Sequence, residues 1–262
     1  MTLSSPTPTH TPAASRSKLP EITLAFWIMK ISATTLGETA GDLLSMTLKI
    51  GYAASSVLLI GVFLVTLGAQ LRSKTYHPLL YWAVILATST AGTTLSDFMD
   101  RTLGLGYATG AAILASLLCA VLIYWKVTQK SLSVTHVRSS GQELLYWGAI
   151  LVSNTLGTAL GDFLADSSGL GFAGGALLIA GAIALIVAAY YLTGISRVAL
   201  FWMAFVLTRP LGATGGDLLT KPVSAGGLNL GTAGASAVLL AILLITIALT
   251  TWHTRRGALQ SA

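Results

Sequence analysis

The chain has 262 residues, 54% of them hydrophobic and only 9% charged, with a mean hydropathy of +0.77. That balance excludes a soluble globule, in which about 25% of residues carry charge. The net charge of +6 is scattered over short polar stretches, which speaks against nucleic-acid binding, and the single cysteine, Cys119, rules out a disulfide framework and a thiolate metal centre.

Residues 1–20 are rich in Ser, Thr and Pro and contain Arg16 and Lys18. They lack the apolar core of a cleavable signal, and the expectation is a disordered cytoplasmic tail. Residues 21–252 read as a single transmembrane domain. Eight apolar runs, at roughly 24–45, 51–71, 79–99, 104–125, 144–164, 170–192, 198–219 and 230–250, approach the about 20 residues a membrane-crossing helix needs. Glycine-rich turns at Gly51, Gly104, Gly106, Gly169 and Gly171 join them in pairs, and the fourth turn carries an insert, KPVSAGGLNLG, about five residues longer than its counterparts. The expected fold is an all-α membrane protein of eight transmembrane helices, built as four helical hairpin repeats of about 22–72, 77–126, 142–192 and 197–252.

The first helix of each repeat carries the same stretch: Trp27–Asp42, Trp82–Asp97, Trp147–Asp162 and Trp202–Asp217. Trp and Asp stand fifteen positions apart in every copy, with Gly37, Gly92, Gly157 or Gly212 ten positions after Trp. Offsets of 55, 65 and 55 residues relate the first pair of copies to the second by 120, the mark of a two-step duplication. Two spans per repeat give all four repeats one orientation, so their pseudo-symmetry axis runs along the membrane normal. Ten Lys and Arg lie in the termini and the links between repeats, and three (Lys49, Arg101 and Lys221) in the turns inside repeats. That bias places both termini in the cytoplasm and the turns outside. The four Trp residues then sit at cytoplasmic helix ends, where interfacial anchoring accounts for them.

Fifteen residues at 1.5 Å rise put each Asp about 22 Å outward of its Trp. Asp42, Asp97, Asp162 and Asp217 therefore share one depth. A hydroxyl-rich face precedes them, including Thr93, Thr94, Asn154 and Thr158. Glu38, four positions before Asp42, exists only in the first copy, as does Lys30; Arg209 exists only in the fourth. Intramembrane carboxylates are costly and mark ion or proton paths, so Glu38 and the four Asp residues are the candidate cation or metal ligands. Five acids against two bases leave three negative charges for a proton, a cation or water to relieve. Arg209 lies too deep to reach the interface and is expected to pair with Glu38 or an Asp. Lys30 is expected to snorkel to the cytoplasmic surface, the alternative being a place beside Arg209 in an ion pair or gate.

Four tandem two-helix repeats, each with one Trp followed by Gly-[Thr/Glu]-x-x-[Gly/Ser]-Asp, resemble a bacterial integral membrane family defined as a repeat of unknown function. The resemblance covers roughly residues 22–252; the fourth copy departs from it with Ala213 in place of Glu or Thr. It implies a multi-pass protein of the bacterial inner membrane. There is no soluble-enzyme motif, so an enzyme is not expected, nor any cofactor beyond a bound divalent cation. The function expected from the residues is proton-coupled secondary transport of a cation, with membrane lipid and a small cation or solute as partners. The alternatives are a cation-selective channel-like pore and a non-transporting scaffold or regulator.

Overall fold

The computed structural model describes residues 19–134 and 139–260, so the expectation for the N-terminal tail falls outside the described residues as far as residue 18. Leu19, assigned to the tail by composition, is buried in the core. The described residues form eight α-helices and no strand: α1 (Leu24–Asp42), α2 (Tyr52–Arg72), α3 (Pro78–Asp97), α4 (Tyr107–Gln129), α5 (Ser140–Asp162), α6 (Gly171–Leu192), α7 (Arg197–Thr220) and α8 (Thr232–Gln260). Local chemistry marks the helix starts. The Thr23 hydroxyl accepts from the Phe26 amide at 3.3 Å, Pro78 opens α3, and Ser139 and Gln142 form a reciprocal capping box at α5.

Seven of these helices are long and apolar enough to cross a membrane. The exception is α1, made less apolar by Lys30, Glu38 and Asp42. The chain is a multi-pass, all-α membrane protein.

The odd helices form an inner ring. α1 packs on α3, α3 on α5, α5 on α7, and α7 back on α1. The even helices lie outside it, and here the hairpin expectation needs correction. α2 packs along α3, α4 along α5 and α6 along α7, each on the next repeat's first helix, and α8 closes the circle on α1. Each inner helix gives both flanks to its ring neighbours, and its outer side is covered by the even helix of the preceding repeat. Burial follows this division: about a fifth of each even span is buried (22%), against 72%, 67% and 56% for α3, α5 and α7.

α1, α3 and α5 each run into a five-residue π-helical turn, at Leu43–Thr47, Phe98–Thr102 and Phe163–Ser167. α7 does not. The insert of the fourth repeat takes the place of that turn and folds back on the end of α7, where the amides of Leu228 and Leu230 donate to the carbonyls of Leu218 and Leu219 at 2.7 and 2.9 Å.

Candidate functional site

One end of the ring is sealed by aromatic rings. The residue before each Trp touches the Trp of the next repeat: Phe26 on Trp82 (5.7 Å between centroids), Tyr81 on Trp147 (5.5 Å), Tyr146 on Trp202 (6.4 Å) and Phe201 on Trp27 (5.9 Å). The Tyr81 and Tyr146 hydroxyls hydrogen-bond at 2.6 Å. Trp82, Trp147 and Trp202 are buried and Trp27 half-buried, so the tryptophans are packing elements of a closed collar and not the interfacial anchors expected from their position at helix ends.

The recurring Gly of the four repeats has an equally cyclic use. A Cβ on Gly37 would collide with Ser89, on Gly157 with Arg209 and on Gly212 with Thr34, and one on Gly92 would press tightly on Asn154. Each glycine is thus the seat for the residue seven positions after the next repeat's Trp. Close approach of this kind is what small residues provide between membrane helices.

Steps of four residues along the inner helices stack four-membered layers beyond the collar. Lys30, Ile85, Ile150 and Phe205 come first; then Thr34, Ser89, Asn154 and Arg209; then Glu38, Thr93, Thr158 and Ala213; then the four Asp residues. All sixteen are buried. Lys30 does not snorkel. It is 0% exposed, and its ammonium lies 3.9 Å from the centroid of the Phe205 ring, because the collar closes off the aqueous side that snorkelling would need.

Arg209, also 0% exposed, plugs the middle of the ring. Its Nη2, with two hydrogens to share, lies 2.8 Å from Glu38 Oε2 and 2.5 and 2.6 Å from the hydroxyls of Thr93 and Thr158, and Nη1 donates to the Thr34 carbonyl at 3.3 Å. One guanidinium therefore ties α7 to α1, α3 and α5. Its planar fork supplies several donors from one charge, which is why arginine suits such a position.

The four Asp residues lie one turn beyond Glu38, at the end of the ring opposite the collar, where two bases each bridge two of them. Arg101 reaches Asp97 at 2.8 Å and Asp162 at 3.4 Å; Lys221 reaches Asp42 at 2.7 Å and Asp217 at 3.1 Å. Both bases are partly exposed, with side chains 30% and 21% accessible, over carboxylates that are almost fully covered. Burial disfavours the Lys221 ammonium, but the Asp217 and Asp42 charges outweigh it and hold its pKa above the ordinary lysine value. Glu38, Asp162 and Asp217 each present an oxygen within 4.8 Å of the others, a grouping that fits a metal ion. Asp42 and Asp97 stand beside this trio. Asn154 donates to Thr88 at 3.0 Å in the Arg209 layer, and Thr94 bonds to the carbonyls of its own helix, outside the acid cluster.

Four stretches of the chain, residues 25–76, 80–131, 145–196 and 200–256, match the family model described as Repeat of Unknown Function (DUF347). The chain is a member of that family. No curated protein and no solved structure matches it.

Seen as DUF347 repeats, the bases at the acid ring follow the two-step duplication. Arg101 and Lys221 stand four positions after the Asp of the second and fourth copies, 120 residues apart, where the first and third copies have Met46 and Asp166. Sequence reading counted both as turn charges and so missed them. The signal available was the i,i+4 spacing from Asp, which places a base on the same helix face. With them, five acids face four bases, and the excess of negative charge is one instead of three.

Proposed function

We propose that this protein is a secondary transporter of a small cation, a divalent metal fitting best, coupled to protons through Glu38 and the Asp ring. The observation that carries the reading is the convergence of Glu38, Asp162 and Asp217 at one end of a polar column inside an apolar bundle. Carboxylate and hydroxyl oxygens suit hard cations such as Mg²⁺, Ca²⁺ or Mn²⁺. A carboxylate that gives up a cation takes a proton in exchange, which supplies the coupling.

A carrier fits better than a channel. The axis is crossed by the collar, by the layer of Lys30, Ile85, Ile150 and Phe205, and by the Arg209 guanidinium, whose fixed positive charge opposes a continuous cation path. In this reading all eight helices cross a bacterial cytoplasmic membrane with both termini inside, the collar toward the cytoplasm and the Asp ring toward the exterior, as the Lys and Arg bias requires.

The test is reconstitution. Proteoliposomes holding a pH-sensitive dye are challenged with Mg²⁺, Ca²⁺, Mn²⁺, Na⁺ or K⁺ across a proton gradient. The expected result is saturable cation uptake that dissipates the gradient and is lost in Glu38→Gln and Asp217→Asn. Uptake equal to protein-free vesicles for every cation would remove transport from consideration and leave a scaffold or regulator.

A further inference from the structure

Each carboxylate of the metal-like trio is already paired with a base: Glu38 with Arg209 at 2.8 Å, Asp162 with Arg101 at 3.4 Å, and Asp217 with Lys221 at 3.1 Å. These three bases differ in one respect that matters. Arg209 is sealed in the bundle, whereas Arg101 and Lys221 reach in from the rim and remain partly open to solvent. We propose that Arg101 and Lys221 are tethered competitor cations. They close the mouth of the acid cluster by occupying its charge, and an incoming divalent ion enters by displacing them. The inference rests on the cation-transport reading and adds to it the gate and the source of its selectivity.

Three further observations support it. The bases recur by the duplication, one per half of the molecule, and each spans an inter-repeat seam: Arg101 joins α3 to α5, and Lys221 joins α7 to α1. Arg101 has an outer resting place. The Arg101 guanidinium lies 5.6 Å from the Tyr107 ring centroid and 6.0 Å from that of Tyr52, aromatic faces that can keep it once it leaves the acids. The Lys221 backbone is pinned instead: its carbonyl accepts from the Asn229 amide at 3.0 Å, within the insert peculiar to the fourth repeat. The insert thus holds the stem while the four-carbon side chain is free to swing. Charge arithmetic favours a divalent ion. Glu38 and the four Asp residues face three bases, Arg209, Arg101 and Lys221, which leaves two excess negative charges, and withdrawing one base leaves three, more than a monovalent ion can offset. A monovalent ion gains less from the carboxylates and displaces a tethered cation poorly.

Two measurements on purified full-length protein test this. The first is Mn²⁺ binding, followed by loss of the free-ion resonance. Arg101→Gln and Lys221→Gln should each bind Mn²⁺ about tenfold more tightly, the gain from removing a competitor worth about 1.4 kcal/mol, and Lys221→Arg should keep wild-type affinity. The second needs no metal. Thr158→Cys, placed one layer below the Asp ring in a Cys119→Ser background, is treated with a small cationic methanethiosulfonate. Its modification should be about tenfold faster when Arg101 and Lys221 are both Gln, matching the same competitor energy. Faster labelling without Mn²⁺ binding in any form would keep the gate and sink the divalent-ion reading. Equal Mn²⁺ affinity in all variants with unchanged labelling would overturn the gate and leave the cation site standing. Weaker Mn²⁺ binding in the Gln variants, whatever the labelling, would mean that the bases position the acids for the ion, and displacement would be wrong.

Discussion

At the scale of single residues the molecule turns on Arg209. An arginine with no solvent access is tolerable only when its charge is met, and Glu38 meets it while Thr93, Thr158 and the Thr34 carbonyl take hydrogen bonds from its two Nη atoms. Removing one partner of a buried pair strands the other, at a cost of about 3–5 kcal/mol, whereas removing both together costs far less. Arg209→Ala is therefore expected to lower the melting temperature in detergent sharply, and Arg209→Lys to recover only part of the loss, since one ammonium cannot reach three helices. Arg209→Met combined with Glu38→Gln is expected to regain most of the stability while staying inactive in the uptake assay. A melting temperature for Arg209→Ala equal to wild type would dissolve the plug. This pairing was within reach of the sequence, because Arg209 and Glu38 are unusual charges at related heights in a repeat. The surroundings of Lys30 were not: one residue in a helix end reads the same whether water or a Phe205 ring lies next to it.

At the scale of the helix, the recurring Gly acts through its neighbour in the ring. Gly157 faces Arg209 and Pro210 so closely that an added methyl has no room, while Gly181 on outer helix α6 has open space around it. Gly157→Ala should cost about 1–3 kcal/mol by overpacking and displace Arg209, lowering stability and activity together. Gly181→Ala should be neutral or stabilising by up to about 1 kcal/mol through helix propensity. Thermal unfolding of the two variants in one detergent decides between them, and equal effects would mean that the glycines are not seats. The helices, their approximate spans and the polar face were legible because each rests on a local periodicity. Which helix lies beside which was not. Hydropathy tells an inner helix from an outer one, but the outer surface of α3 does not name α2 rather than α4 as its cover. The Trp residues failed for the same reason, since the end of a helix suits both a lipid interface and a collar. Arg101 and Lys221 were misread because a base beside a turn is first of all a topology signal.

At the scale of the whole molecule, the circle has one seam that the chain does not cross. The links α2–α3, α4–α5 and α6–α7 are covalent, but α8 meets α1 only by packing, with Ser236 Oγ 2.8 Å from Thr39 Oγ1. If each repeat were a self-contained hairpin, α1 would be covered by α2 and this contact would not exist. A cross-link across the seam separates the two arrangements. In a Cys119→Ser background, Thr39→Cys with Ser236→Cys should oxidise readily, because hydroxyl oxygens this close put the two Cβ atoms near the separation a disulfide requires. A protease site inserted after Ser133, in the link between α4 and α5, then cuts the chain into two halves. With the ring closed by α8 on α1, the oxidised halves run together on a denaturing gel and part on reduction. A control pair at Thr39 and Leu185, on the exposed face of α6, should not join. Halves that separate without reductant would return the architecture to four independent hairpins.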